Sequence, residues 1–368
     1  MSVVAESERL HQRVRAFARG EGGASFEELA LELARFQCRS SAGMRRLVEL
    51  GGRALESVEA IPAVPSDAFR LTRVAVHSED ADVARFRSSG TTGSQTSTHV
   101  FRTTETYRAL ALSFGQQALA SAWPGPRVVV ALAEAPQEPP HSSLGFMMQL
   151  FIEAFDGRPL EPRWLLSPSG IDVAGLRRAA AIAREQSEPL LVLATAFSLV
   201  ALLDALGGAA IEAPERTVVM QTGGYKGRAR ELEPEALREG VARSFGVPTD
   251  HVVGEYGMTE LTSQLYEPRL PGGALRRHLG PSERRDVYLE PPWLRVVPVD
   301  PATLEAAEKN ETGIARIIDL GNVDSAVAIV TQDLVRRSGP GVELLGRLSG
   351  APPRGCSLAV EALLAGGS

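Results

Sequence analysis

From Val128 onward, short apolar runs alternate with stretches of helical periodicity, and that alternation limits the possible folds more than any other feature. The strand-like runs are Val128–Ala133, Leu190–Ala194, Thr217–Gln221, His251–Gly254, Leu294–Val299, Ile314–Leu320 and Ala326–Thr331. Helical patterns fill Leu144–Phe155, Val173–Glu185, Ser198–Leu206 and Pro234–Phe245. Strands separated by helices imply a mixed or parallel α/β sheet. Several runs lead straight into loops rich in Gly, Thr and acidic residues. In open α/β sheets, ligands bind where strand carboxyl ends meet such loops.

The first 60 residues read as helices. Phe26, Leu29, Leu33 and Phe36 recur at helical spacing, with Ser25 as N-cap and Glu28 as its capping-box partner. Ile61-Pro-Ala-Val-Pro65 breaks that pattern with an extended segment, and a further helix is expected from Thr104 to Ala120.

The chain has 368 residues, 44% of them apolar and 23% charged, which suffices for a sizeable core and excludes a mainly disordered polymer. A net charge of −6 disfavours a nucleic-acid footprint. The longest apolar run, Leu190–Leu206, is short for a membrane span and ends in Asp204 and Gly207-Gly208. Met1–Arg19 lacks the apolar stretch of a signal peptide, and two distant cysteines, Cys38 and Cys356, make no disulfide framework, so a cytoplasmic setting is expected. Lysine occurs twice, at Lys226 and Lys309, so any chemistry that needs a lysine has two candidates.

Four constellations carry chemistry. Ser88-Ser89-Gly90-Thr91-Thr92-Gly93 offers consecutive backbone N–H groups and hydroxyls suited to phosphate oxygens; by type alone it reads equally as a surface turn. Gly223-Gly224-Tyr225-Lys226 follows a strand, and its glycines allow a flat ligand to approach the backbone; a tight turn with a solvated lysine is the plainer alternative. Tyr256-Gly-Met-Thr259-Glu260 sets a ring, a hydroxyl and a carboxylate at a strand end, where the carboxylate suits Mg²⁺ and the ring suits a base; a polar loop with a half-buried Tyr also satisfies it. Thr331-Gln-Asp333-Leu and Gly346-Arg347 place an acid and a base after a strand, the residue types that hold ribose hydroxyls.

In this order and spacing, the four motifs resemble the signatures of the adenylate-forming superfamily, which includes acyl-CoA synthetases, luciferases and adenylation domains. The chain is most similar to the acyl-protein synthetases, the LuxE-type component of the bacterial fatty-acid reductase system. That likeness rests further on Phe26-Glu-Glu-Leu-Ala-Leu, Arg35-Phe-Gln37, Ile61-Pro-Ala-Val-Pro-Ser-Asp-Ala-Phe69, Gly223-Gly-Tyr-Lys-Gly227 and Arg354-Gly-Cys-Ser-Leu358, and it covers residues 25–360.

The resemblance implies the large α/β domain of adenylate-forming enzymes. It would comprise a helical segment over 1–80, an α/β core over 81–347, and a tail over 348–368 in place of the usual lid domain. It implies ATP and Mg²⁺ as cofactors and a fatty acid activated to acyl-AMP. By likeness, Ser88, Ser89, Gly90, Thr91, Thr92 and Gly93 hold the β- and γ-phosphates, Thr259 the α-phosphate and Glu260 the Mg²⁺. Tyr256 lies along adenine near Gly223 and Gly224, and Asp333 and Arg347 bind the ribose. With no lysine after Arg347, Lys226 is the cation left to offset charge at the transferring group, while Lys309 reads as a loop charge.

Cys356 takes the place of the family's acyl-accepting thiol, with Arg354 favouring its thiolate, and an acyl reductase is the partner that would consume the thioester. Cys38, beside Phe36, is expected to be plain packing. Thr195–Leu199 and Ser143–Met148 are candidates to line the acyl pocket. Two other functions fit parts of the pattern: a CoA ligase of the phenylacetate type, and a non-catalytic subunit that keeps the fold.

Overall fold

The computed structural model describes residues 2–88, 96–156, 161–223, 232–277, 279–280, 286–348, 359–361 and 363–364. Helices α1 (Val3–Ala18), α2 (Phe26–Ser40) and α3 (Ala42–Gly51) open the chain. The capping box forms as the sequence predicts: Ser25 Oγ accepts from the Glu28 N–H at 3.1 Å, and Glu28 Oε2 accepts from the Ser25 N–H at 2.8 Å. Strand β1 (Val64–Pro65) and the short helix α4 (Ala68–Leu71) follow, then the hairpin of β2 (Ala84–Arg87) and β3 (Thr98–Phe101). Helix α5 (Glu105–Gly115) continues as a π-turn over Gln116–Ala120.

The alternating region then unfolds in order. It runs β4 (Val128–Leu132), α6 (Ser143–Phe155), β5 (Leu166–Ser167), β6 (Gly170–Ile171), α7 (Val173–Glu185), β7 (Leu190–Thr195) and α8 (Ala196–Leu206). Next come β8 (Thr217–Thr222), α9 (Pro234–Phe245), β9 (Val252–Tyr256), β10 (Leu265–Tyr266) and α10 (Ala274–Arg277). The described strands end with β11 (Leu294–Val299), β12 (Thr312–Asp319), β13 (Ala328–Ser338) and β14 (Gly341–Arg347).

Two five-stranded sheets result. In the first, β4, β7, β8 and β9 are parallel neighbours and β10 runs antiparallel on β9. In the second, β11, β12, β13 and β14 are antiparallel, with β1 parallel to β13. The parallel strands are apolar without alternation because both faces are covered. Val218, Met220 and Val253 point into a core shared with α1, α2, α5, α6 and the second sheet. Val130, Val192 and Val219 point the other way, onto Ala180, Leu199 and Val241 of α7, α8 and α9. The sheet's carboxyl ends, at Thr222 and Tyr256, therefore open where the second sheet comes alongside.

One sequence expectation is corrected. Thr331–Leu334 does not follow a strand but lies inside β13, which runs on to Ser338 and pairs with β14. The sequence alternation faded there because this half-buried hairpin carries polar residues on its outward face.

Candidate active site

Tyr256 closes β9, and its hydroxyl donates to Asp333 Oδ2 at 2.7 Å across the gap between the two sheets. Asp333 is the cross-strand partner of Arg347, whose Nε stands 3.5 Å from Asp333 Oδ1. Two motifs separated in sequence thus become one acid–base pair on adjacent strands, capped by an aromatic hydroxyl. Burial, then the Asp333 charge, holds the Tyr256 phenol well above its ordinary range, so it stays a donor. Arg347 is 62% exposed, which leaves its guanidinium free to reach a ligand.

Glu260 is buried and lies within electrostatic reach of Arg347 and Tyr256. Burial raises its carboxyl, while the Ser97 hydroxyl and the charges of Arg347 and Arg70 favour its ionised form. Ser97 belongs to the far arm of the Gly-rich loop: its N–H donates to Ser88 Oγ at 3.0 Å, and its carbonyl accepts from the Ser88 N–H at 3.0 Å. The loop's two ends are therefore zipped together against Glu260. Arg70, in α4 and 3.4 Å from Asp67, adds a positive charge whose field reaches Glu260, while the loop's own sequence carries none. The sequence offered no signal for it, since its place beside Glu260 depends on β1 joining the second sheet.

Backbone contacts hold the Thr259–Glu260 segment in place. The Glu260 carbonyl accepts from Asn322 Nδ2 at 3.0 Å. The Thr259 carbonyl accepts from His99 Nδ1 at 3.0 Å, and His99 Nε2 accepts from the Ser325 hydroxyl at 2.8 Å. Burial pushes His99 down to about 4, so its ring is neutral and its tautomer is set by those two partners. Asp319, wholly buried at the end of β12, accepts from the N–H groups of Thr262 and Ser263 at 2.9 Å each, from Gly321 N–H at 2.9 Å and from Ser263 Oγ at 2.7 Å. His99, Asp319 and Asn322 were not predicted, because they act through backbone groups of a turn that only the folded chain brings to them.

Among the described residues no group of three or more metal-ligating side chains forms. Mg²⁺ takes one or two carboxylates plus phosphate oxygens and waters, so a single carboxylate suffices where a nucleotide supplies the phosphates. Glu260 fits that role. Gly223, at φ +69°, turns the chain at the end of β8 into a conformation that L side chains avoid, which keeps the strand end bare. Ser88, Gly223, Tyr256, Thr259, Glu260, Asp333 and Arg347 thus gather along one edge. Ser89, Gly90, Thr91, Thr92, Gly93, Gly224, Lys226 and Cys356 lie outside the described residues. Cys38 is half-buried, its Sγ is 3.8 Å from the Met44 carbonyl, and burial pushes its thiol up, the opposite of an activated thiolate.

The fold is similar to solved structures of 2-hydroxyisobutyryl-CoA ligase. Against its open conformation in complex with 2-HIB-AMP and CoA, the TM-score is 0.58 at 13% identity, over 88% of this chain and 75% of that one. Against the thioesterification state the TM-score is 0.57 at 13% identity, over 94% and 69%. Against the postadenylation state with 2-HIB-AMP it is 0.57 at 13%, over 88% and 68%. The chain therefore has the layered α/β fold of an adenylate-forming ligase. No protein-family model and no curated protein matches it by sequence. Among the described residues no helix is long and apolar enough to cross a membrane.

Proposed function

We propose that this chain is an ATP-dependent ligase that converts a carboxylic acid to its acyl-adenylate and passes the acyl group to the thiol of Cys356. The observation that carries this reading is the Tyr256 hydroxyl on Asp333, 2.7 Å across the two sheets, with Arg347 beside it and the buried Glu260 within reach of the Arg347 charge. That set supplies what binding and activating a nucleotide requires: acceptors and a guanidinium for ribose hydroxyls, a ring for the base, and a carboxylate by the phosphates.

A carboxylate oxygen attacks the α-phosphorus, the bond to the bridging oxygen breaks, and pyrophosphate leaves. Thr259, with its carbonyl occupied by His99, turns its hydroxyl to the α-phosphate. Lys226 offsets charge at the transferring group. Ser88 to Gly93 hold the β- and γ-phosphates, with Gly223 and Gly224 leaving room for the base. Mg²⁺ on Glu260 would neutralise phosphate charge. In the second step the Cys356 thiolate attacks the acyl carbon, a thioester forms and AMP departs. The sequence resemblance adds a fatty acid as the starting acid, an acyl reductase as the consumer of the thioester, and the cytoplasm as the setting.

Labelling tests both steps. With ATP, Mg²⁺ and a radioactive acid, the parent should hold hydroxylamine-labile label. Cys356→Ser should form acyl-adenylate without holding that label, and Cys38→Ser should match the parent. Label that appears only on added CoA would replace the acyl-protein reading with a CoA-ligase one.

A further inference from the structure

Beside the nucleotide-facing residues, the end of β9 buries a second polar cluster that the steps above do not use. Glu255, the residue before Tyr256, is 5% exposed and points into the core between the sheets. Its Oε2 accepts from the Thr222 hydroxyl, and Thr222 is its register partner on β8. On its other side Tyr266 is its cross-strand partner on β10, so the two side chains share a face. Burial pushes the Glu255 carboxyl up to about 7.

The cluster holds polar atoms that the chain leaves unpaired, an acceptor and a hydroxyl. Gln264 Nε2 donates to the Tyr107 hydroxyl at 3.4 Å, and Tyr107 donates onward to the Ser143 carbonyl at 3.1 Å, at the head of α6. That leaves Gln264 Oε1 and the Tyr266 hydroxyl buried without a partner among the described residues. A buried polar group left unpaired by its own chain calls for an explanation, and a bound group is one that satisfies it.

Access is also built in. Gly257 is exposed. A Cβ there would stand 2.6 Å from Glu255 Oε1 and 3.6 Å from Gln264 Cγ. Among the described residues, the bare face of Gly257 therefore lies against the cluster, next to the ring that would stack on the nucleotide.

The geometry points to Glu255, Gln264 and Tyr266 as a subsite for a hydrogen-bond donor on the acid being activated, a hydroxyl or an ammonium. Resting on the acyl-adenylate reading above, this narrows the starting acid from a plain fatty acid to an amino- or hydroxy-substituted one. A plain alkyl chain laid there would leave Gln264 Oε1 and the Tyr266 hydroxyl unpaired, whereas a donor satisfies them. An ammonium would draw Glu255 into its ionised form; a hydroxyl would be served by Gln264 and Tyr266 with Glu255 protonated.

ATP–pyrophosphate exchange tests this with straight-chain acids and their amino- and hydroxy-substituted counterparts. At least one substituted acid should exceed its parent acid by tenfold or more in kcat/KM. Glu255→Gln should erase a preference for the amino acid but spare one for the hydroxy acid. Gln264→Leu, which removes the unpaired acceptor together with the 3.4 Å bond to Tyr107, should lower that preference, and it carries the test alone if the Glu255 variant does not fold. Alkyl acids as good as every substituted acid would overturn the inference and leave the acyl-adenylate reading standing. No exchange with any acid would overturn that reading and the inference with it.

Discussion

At the residue scale, two buried titratable groups pull stability in opposite directions with pH. The fold keeps Glu255 protonated up to about 7 against an ordinary 4.5, so its contribution is present below pH 4.5 and is lost as pH rises through 7. It lowers His99 from 6.5 to about 4, so that contribution is present above pH 6.5 and is lost as pH falls through 4. Each is on the order of 3 kcal/mol when complete. Glu255→Gln should therefore gain stability relative to the parent as pH is raised from 4.5 to 7. His99→Gln should gain relative to the parent as pH is lowered from 6.5 to 4. Urea melts across that range check both, and parallel curves for parent and variants would refute the two assignments. Arg70 belongs to this scale as well: Arg70→Gln should lower pyrophosphate exchange by about tenfold with little change in Tm, as expected for a cation near developing charge and partly open to solvent.

At the scale of elements, the turn between β9 and β10 depends on one carboxylate. Asp319 accepts four hydrogen bonds in the core, three of them from backbone N–H groups, so Asp319→Ala strands those donors. We expect a loss of about 3 kcal/mol or more, with exchange activity reduced in the fraction that stays folded, because the same turn positions Glu260. Thermal melts and exchange assays on one preparation measure both.

The helices and parallel strands that frame this turn were legible in the sequence, because their apolar residues follow a fixed period. Leu190–Ala194 and Pro234–Phe245 stand where the pattern put them. The motif residues Tyr256, Glu260, Asp333 and Arg347 were legible as residue types. What was not legible is their pairing: Asp333 and Arg347 face each other only because β13 continues through a polar stretch into β14. Glu255 was passed over because a single acid within a Gly-Glu-Tyr-Gly run gives no sign of its burial.

At the scale of the whole molecule, the N-terminal helices are tied into the same framework as the site. The Ser7 hydroxyl donates to Asp324 Oδ1, and His11 stands 2.9 Å from Asp324 Oδ2 and 2.8 Å from Thr106 Oγ1. Asp324 neighbours Ser325, which holds His99, and the Asn322 that holds Glu260 is two residues away. Anchoring of α1 and order at Thr259–Glu260 thus share one loop. The two sheets meet over Tyr256 and Asp333, and everything proposed for catalysis requires that junction to bind a nucleotide and activate an acid. Acid-dependent ATP–pyrophosphate exchange measures this most directly, on the parent, Asp333→Ala and Glu260→Gln. The account predicts exchange by the parent that requires both Mg²⁺ and an acid, reduced at least tenfold in each variant with Tm nearly kept. Exchange unchanged in both variants would contradict it.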